Sequence, residues 1–430
     1  MGEEAPRPTA DNLLIIVADD LGIDKVASYR PEGAHLPELP TLESLVAVGV
    51  RFETAYAMPT CSPTRGTLLT GRYPHQTGLG ARADHGELSL AERTIADVLS
   101  EAGYATAAVG KWHLSSQDTE SGYAHPNLQG FDHFAGTLGN LEPSYYDWPR
   151  VVNGTAETSH SYATTVTVDD ALDWVETAPE PWFLYVSFNA AHIPLDEPPA
   201  RLHHSGELPT NATPPHRFKA VAEAMDTELG RLLAGIDDKV MASTTTIFVG
   251  DNGSDADTVT PPQDPQRAKS TVFEGGVRVP LVVTGPRVHT PGSTSSAFAS
   301  VADLWATALD IAEVSDPSPG VVDSHSLLPY LTTPGLEGAR THLFAERMSE
   351  LGGPPYYRHL RTIRDDRYKL VIDDRGASYE ELLYALDGGE WDEGEPITAE
   401  DRTLEEQRAF TALSDALADL DARSPYAPKR

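Results

Sequence analysis

Short, continuous apolar runs that stop abruptly at polar residues organise this chain. Leu13 to Ala18 (LLIIVA) runs into Asp19 and Asp20, and Thr106 to Val109 leads through Gly110 into Lys111, Trp112 and His113. Trp182 to Phe188 (WFLYVSF) ends shortly before His192, and Thr245 to Val249 leads through Gly250 into Asp251 and Asn252. Runs of β-branched and aromatic residues without alternation suit strands covered on both faces, as in a parallel sheet with helices on each side. Ligands of such sheets bind beyond the carboxyl ends of the strands, so the pattern predicts that these polar residues meet along one edge.

Helical stripes fall between the runs. Thr94 is placed to cap a helix over residues 94–102, with Asp97 three residues on, Ile95, Val98 and Leu99 on one face, and Gly103 as a stop. Phe218, Val221, Ala222, Met225, Leu229, Leu232 and Ile236 form a second stripe, and Val301, Leu304, Trp305 and Ala308 a third, all of them core packing. The alternation predicts an α/β fold: a large mixed, mostly parallel central sheet sandwiched by helices. After Val314 comes Ser-Asp-Pro-Ser-Pro-Gly, and the composition shifts near Arg340. Thr362 to Arg364 and Tyr368 to Ile372 read as two strands around an Asp365-Asp366 turn, and Leu404 to Leu420 as a closing helix. The expected organisation is an α/β domain over residues 1–340 and a small C-terminal subdomain of antiparallel strands and a helix over residues 341–430.

Composition narrows the function. The chain has 430 residues, 65 acidic against 32 basic, for a net charge of -33. That field repels phosphate backbones and anionic lipid, so nucleic acid and membrane are excluded as general partners. One Cys cannot form an intrachain disulfide, which fits a reducing compartment. No apolar run reaches membrane-spanning length, and Met1 to Asp11 is acidic and Pro-containing, unlike a secretory leader. As given, the chain reads as soluble and cytoplasmic; a leader already removed would leave no trace. Its oligomeric state has no sequence signature.

The lone cysteine sits in Cys61-Ser62-Pro63-Thr64-Arg65, followed by Leu69-Thr70-Gly71-Arg72. Pro63 suits the first turn of a helix that Gly71 would close. Cys61 would then stand at a helix N-terminus, which favours an anion, with Arg65 one turn along on the same side. Spacing alone leaves a buried apolar Cys and a functional one equally open. Asp19, Asp20, Asp251 and Asn252 offer only hard oxygen donors, the set for Ca²⁺ or Mg²⁺ rather than Zn²⁺. Either pair by itself reads as a turn.

The cysteine segment resembles the sulfatase signature C-x-P-S/T-R with its trailing L-T-G-R, and the resemblance extends over nearly the whole chain. Ile15 to Gly22 (IIVADDLG), Leu42 to Phe52, Gly103 to Leu114 (GYATAAVGKWHL), Gly130 to Phe134 (GFDHF), Ala191 to Pro194 (AHIP), Gly250 to Gly253 (GDNG), Lys269 to Pro280 (KSTVFEGGVRVP) and Arg367 to Leu370 (RYKL) are similar to family blocks in family order. The resemblance implies an alkaline-phosphatase-like fold and a sulfuric ester hydrolase of arylsulfatase type. It implies that Cys61 is oxidised to Cα-formylglycine by a formylglycine-generating enzyme, the aldehyde hydrate being the nucleophile. A sulfated gem-diol can expel sulfate by C–O cleavage, whereas a serine sulfate would need a second attack at sulfur.

The same resemblance puts a divalent metal, Ca²⁺ before Mg²⁺, on Asp19, Asp20, Asp251, Asn252 and the modified Cys61, as Lewis acid and template. It gives Arg65 the anchoring of the metal-bound nucleophile, and Lys111 contacts to the hydrate and the sulfate. His113 becomes the base that helps release sulfate, His192 the neighbour of the leaving-group oxygen and Lys269 a contact to a sulfate oxygen. Lys111 and His113, two residues apart, would point to one side if the segment stays extended. The implied substrate is a small-molecule or carbohydrate sulfate ester. Two rivals stand beside this reading. One is a phosphonate monoester hydrolase or phosphodiesterase on the same scaffold, whose members commonly carry His where this chain has Asn252. The other is a catalytically silent sulfate-ester binding protein.

Overall fold

Alternate residues of the first apolar run enter two different cores: Leu13, Ile15 and Val17 pack on one side, Leu14, Ile16 and Ala18 on the other, all fully buried. Each Leu, Ile or Val side chain among them contributes about 1.5–3 kcal/mol on burial, so a strand with both faces covered is fixed in the middle of a layered structure. The computed structural model describes residues 11–29, 35–317, 320, 322–349, 351–386 and 393–425. In chain order its strands are β1 (Asn12–Ala18), β2 (Val50–Phe52), β3 (Ala55–Tyr56), β4 (Ala105–Lys111), β5 (His133–Thr137), β6 (Trp148–Val152), β7 (Thr155–Ser159), β8 (Trp182–Ser187), β9 (Thr244–Gly250), β10 (Leu281–Thr284), β11 (Ser293–Ser295), β12 (Ala299–Ser300), β13 (Leu343–Met348), β14 (His359–Arg364), β15 (Tyr368–Asp374) and β16 (Tyr379–Ala385).

Ten of them form one sheet in the order β11-β2-β10-β9-β1-β8-β4-β5-β6-β7. The inner five, β9-β1-β8-β4-β5, are mutually parallel and contain the apolar runs read from the sequence. Antiparallel strands flank them, β10 on one side and β6 on the other, with β7 paired antiparallel to β6. Helices Cys61–Thr70, Ile95–Glu101 and Asp303–Ile311 cover one face. Helices Pro40–Val48, Ala163–Val175 and Pro214–Gly235 cover the other. Thr94 and Asp97 form the expected capping box.

The parallel register brings the strand ends level: Ala18 pairs with Gly250, Val17 with Ser187, and Gly110 with Ser187. Gly110 permits this closeness. Its φ is 89°, and a Cβ there would lie 2.0 Å from the Ser187 carbonyl oxygen. Asp19, Lys111 and Asp251 therefore leave the sheet side by side.

The last quarter of the chain forms an antiparallel sheet, β13-β14-β15-β16, with helix Leu404–Asp421 against it through Leu413 and Leu417. It has four strands, not the two read around the Asp365-Asp366 turn. The sheet shares a core with Tyr56, Met58, Tyr73 and Val277 of the larger layer. Among the described residues no helix is long and apolar enough to cross a membrane.

Candidate active site

The carboxyl edge of the parallel strands gathers the residues that the sequence set apart. Asp19 and Asp20 follow β1, Asp251 and Asn252 follow β9, Lys111 ends β4, and all five are buried. Cys61 is the first residue of helix Cys61–Thr70, every residue of which is buried; Thr60 precedes it in an extended conformation and Gly71 closes it at φ 68°. The thiol Sγ lies 3.4 Å from Asp19 Oδ1 and 3.6 Å from Lys111 Nζ. Lys111 Nζ is also bonded to Asp19 Oδ2.

Arg65, one turn beyond Cys61 and wholly buried, ties the strand ends together. It donates to the Lys111 carbonyl at 2.8 Å, to Ser187 Oγ, and to Asp251 Oδ2 at 2.9 Å. Asp20 Oδ1 receives Asn252 Nδ2 at 2.7 Å and Lys269 Nζ at 2.5 Å. His192 Nδ1 lies 2.6 Å from the Ile193 carbonyl oxygen, which can only accept, so Nδ1 carries the proton and Nε2 faces Asp20 Oδ2 at 3.9 Å.

The charges are strongly interdependent. Burial opposes ionisation of Asp19, but Lys111, His192 and Arg65 outweigh it and hold that carboxyl well below its ordinary range. Burial, together with the charge of Asp19, raises Asp251 despite Arg65. Burial also pushes the Cys61 thiol up, with Asp19 adding to it and Lys111 and Lys269 opposing. The helix N-terminus does not prevail here: the group stays a thiol at neutral pH, unlike the thiolate of a cysteine nucleophile.

His113 departs from the extended geometry under which it would share a side with Lys111. The backbone turns left-handed at His113 (φ 59°), and Nε2 comes 3.3 Å from Asp84 Oδ1. The carboxylate accepts, so Nε2 is protonated and the buried Nδ1, which has no partner, presents a lone pair. Burial and Lys111 lower the ring to about 3, leaving it neutral.

The residues fit a divalent cation. One ligand atom from each of Asp19, Asp20, Cys61 and Asp251 lies within 4.8 Å of the others. Asp20 Oδ2 and Asn252 Oδ1 are buried without a hydrogen-bond partner. Buried oxygens left unpaired beside crowded carboxylates are costly unless a cation meets them, and the oxygen donors of Asp19, Asp20, Asp251 and Asn252 suit a hard ion.

Cys61, His192 and Lys269 line a cavity of about 960 Å³, together with Arg82, Asp84, Asn140, Glu142, Asp255, Ser270 and Arg347. Sequence reasoning missed Asp84, which orients His113, and Arg347, which comes from the C-terminal sheet. Among the other histidines, His35, His75, His203, His204 and His216 do not line this cavity. The His85 side chain lies outside the described residues.

A ten-stranded sheet with a parallel centre and this carboxylate cluster on its edge defines an alkaline-phosphatase-like α/β protein. The family model described as Sulfatase matches residues 11–314, and the chain belongs to that family. It is 31% identical over 363 residues to N-acetylgalactosamine-6-sulfatase of Sus scrofa, covering 76% of this chain and 66% of that protein. The chain thus spans slightly less than two thirds of that relative. It is 29% identical to arylsulfatase G of Rattus norvegicus, covering 90% of this chain and 78% of that protein. Among solved structures, Ps i-CgsB matches with a TM-score of 0.79 at 22% identity over 97% of this chain and 94% of that one. BT4656 in complex with its substrate D-glucosamine-2-N,6-O-disulfate matches with a TM-score of 0.77 at 19% identity over 98% of this chain and 100% of that one.

Proposed function

We propose that this protein is a formylglycine-dependent sulfatase that hydrolyses a sulfate monoester of a carbohydrate to an alcohol and inorganic sulfate. The observation that carries the proposal is the setting of Cys61: a buried thiol between Asp19 and Lys111, on the wall of an open cavity, at the start of a helix whose Arg65 binds Asp251. A thiol whose proton is held by burial is a poor nucleophile. Its oxidised, hydrated form in the same place supplies an oxygen nucleophile. The sugar substrate is favoured by the relative named for N-acetylgalactosamine 6-sulfate and by the neighbour bound to a disulfated glucosamine.

Asp19, Asp20, Asp251, Asn252 and the modified residue 61 would hold Ca²⁺, which supplies a Lewis acid that draws charge from the sulfate oxygens. The chain's own groups do the rest. Arg65 holds the Asp251 carboxylate through Nη2 and the end of β4 through Nη1, so residue 61 and the carboxylates keep their spacing. Lys111 and Lys269 bring positive charge to the two sides of the cluster, where sulfate oxygens gain charge in the transition state. His113 Nδ1, buried without a partner on a neutral ring, would serve as the base for a hydroxyl proton at residue 61. His192 Nε2 serves the leaving-group oxygen. Burial and Lys111 lower this ring, whereas the negative charge of a bound sulfate would favour its protonation.

The test is sulfate release from aryl, alkyl and carbohydrate sulfates by protein co-expressed with a formylglycine-generating enzyme, with a phosphodiester run beside them. Faster turnover of the carbohydrate sulfates supports the proposal. A many-fold preference for the phosphodiester overturns it, and ligand binding without any turnover points to a silent binding protein.

A further inference from the structure

Arg347 lies on β13 and lines the cavity that holds Cys61, His192 and Lys269. Its Nη1 donates to the Ser270 carbonyl at 2.9 Å. Ser270 directly follows Lys269 and donates its own N–H to the Pro59 carbonyl at 2.9 Å. The guanidinium is thus anchored between the lysine that binds Asp20 and the segment leading into Cys61. Its other N–H groups make no hydrogen bond among the described residues.

Nor does Arg347 pair with a carboxylate among the described residues. Its chain neighbour Glu346 is already engaged, with Oε1 2.7 Å from His75 Nδ1 and Oε2 2.7 Å from His359 Nε2. Of the acids on the cavity wall, Asp84 is bound to Arg82 at 3.0 Å, Asp255 accepts the Asp257 N–H at 3.0 Å, and Glu142 is exposed. Burial, Arg358 and Arg82 all act against the Arg347 charge. Where 65 acidic residues face 32 basic ones, a half-buried guanidinium that senses only other cations is conspicuous. Such a charge is costly until an anion meets it.

We propose that Arg347 is a specificity-determining residue that binds a second anionic group, a sulfate or a carboxylate, on the same sugar substrate whose ester sulfate is cleaved at residue 61. The assignment rests on the sulfatase reading above. The free edge of the guanidinium fork matches either oxyanion, and its anchor on Ser270 limits the entropy lost on binding.

The probes are a hexosamine 6-sulfate, the corresponding N,6-disulfate, and the 6-sulfate joined to a uronate. Wild type, Arg347→Ala and Arg347→Lys are compared by calorimetry at one ionic strength with residue 61 unconverted, and by kcat/KM after conversion. Wild type is expected to bind at least one doubly charged probe about 10- to 100-fold more tightly than the monosulfate, as a charge-assisted contact allows. Arg347→Ala removes that preference while leaving the monosulfate affinity unchanged, and Arg347→Lys keeps part of it. Which probe is preferred identifies the anion as sulfate or carboxylate. No preference in wild type, or equal weakening of all three probes in Arg347→Ala, overturns the proposal. A binding preference without sulfate release after verified conversion refutes the sulfatase reading and leaves the role of Arg347 standing.

Discussion

Replacing Asp251 by Asn is predicted to remove cation binding and turnover while leaving the metal-free protein almost as stable as before. Asp251 is fully buried, with Oδ2 2.9 Å from Arg65 Nη2 and Oδ1 accepting the Asp20 N–H at 3.1 Å. At an effective dielectric of about 20 the Arg65 attraction is roughly 6 kcal/mol. Ligand oxygens of Asp19 and Asp20 lie within 4.8 Å, and each repels the Asp251 charge by about 3 kcal/mol on the same scale. Attraction and repulsion therefore nearly cancel, and the cost of burying the carboxylate remains, which Asn removes. Against that relief, the amide must point its NH₂ at Arg65 or at the Asp20 N–H, a mismatch of about 1–3 kcal/mol. The metal-free variant should lie within about 2 kcal/mol of wild type. For 430 residues, about 1 kcal/mol corresponds to roughly 1 °C in Tm, so the shift is small. Calcium at about 100 times its Kd should raise wild type by about 2.7 kcal/mol, or roughly 3 °C, and the variant hardly at all. The assay is calorimetric melting at pH 8 with chelator and then with calcium, beside sulfate release, which should fall by a factor of about 10²–10³ or more. A metal-free Tm lower by more than about 5 °C, or an undiminished calcium response, would refute the reasoning.

Arg65→Lys keeps the charge but cannot reach the Lys111 carbonyl, Ser187 and Asp251 together. Steady-state kinetics should show kcat reduced by about 10²-fold with KM little changed, since spacing at residue 61 is lost rather than substrate contact; wild-type kcat would count against this role. Glu346→Gln tests, through pH, the contact between the C-terminal sheet and the short helix Pro74–Thr77. Burial opposes protonation of His75, but Glu346 raises it above its ordinary 6.5, so this contribution is complete below pH 6.5 and lost as pH rises through the raised value. Glu346, opposed by burial but drawn down by His75 and His359, is held below its ordinary 4.5, so its contribution is present above that pH and lost as pH falls through the lowered value. The stability lost in Glu346→Gln, measured by urea unfolding, should be largest near pH 5–6 and shrink toward pH 9. An equal loss at every pH contradicts the ion-pair account.

The centre of the sheet was legible because strands buried on both faces need unbroken apolar runs, and these runs end where chemistry begins. Asp19, Lys111 and Asp251 could be set on one edge before any coordinate was known, since parallel pairing aligns carboxyl ends. Two edge strands were not legible: Thr155–Ser159 is largely exposed and has no apolar run, and Tyr379–Ala385 begins Tyr-Glu-Glu, which leaves only the short run Leu382 to Ala385. Helix Pro214–Gly235 starts four residues before its stripe, because Pro214 and Pro215 look like loop although proline is favoured in a first turn. In the site, His113 was found by its neighbours in sequence, but its left-handed backbone sends the ring to Asp84, which no local pattern marked. Arg347 was hidden for a different reason. Nothing in Glu-Arg-Met signals a cavity wall; only the packing of the C-terminal sheet brings it there.

Peptide mass spectrometry of the segment containing residue 61, set against sulfate release from the same preparations, addresses the central claim most directly. Preparations spanning a range of conversion should turn over in proportion to the fraction of residue 61 present as aldehyde or its hydrate. Full turnover by protein whose Cys61 is entirely thiol would contradict the account.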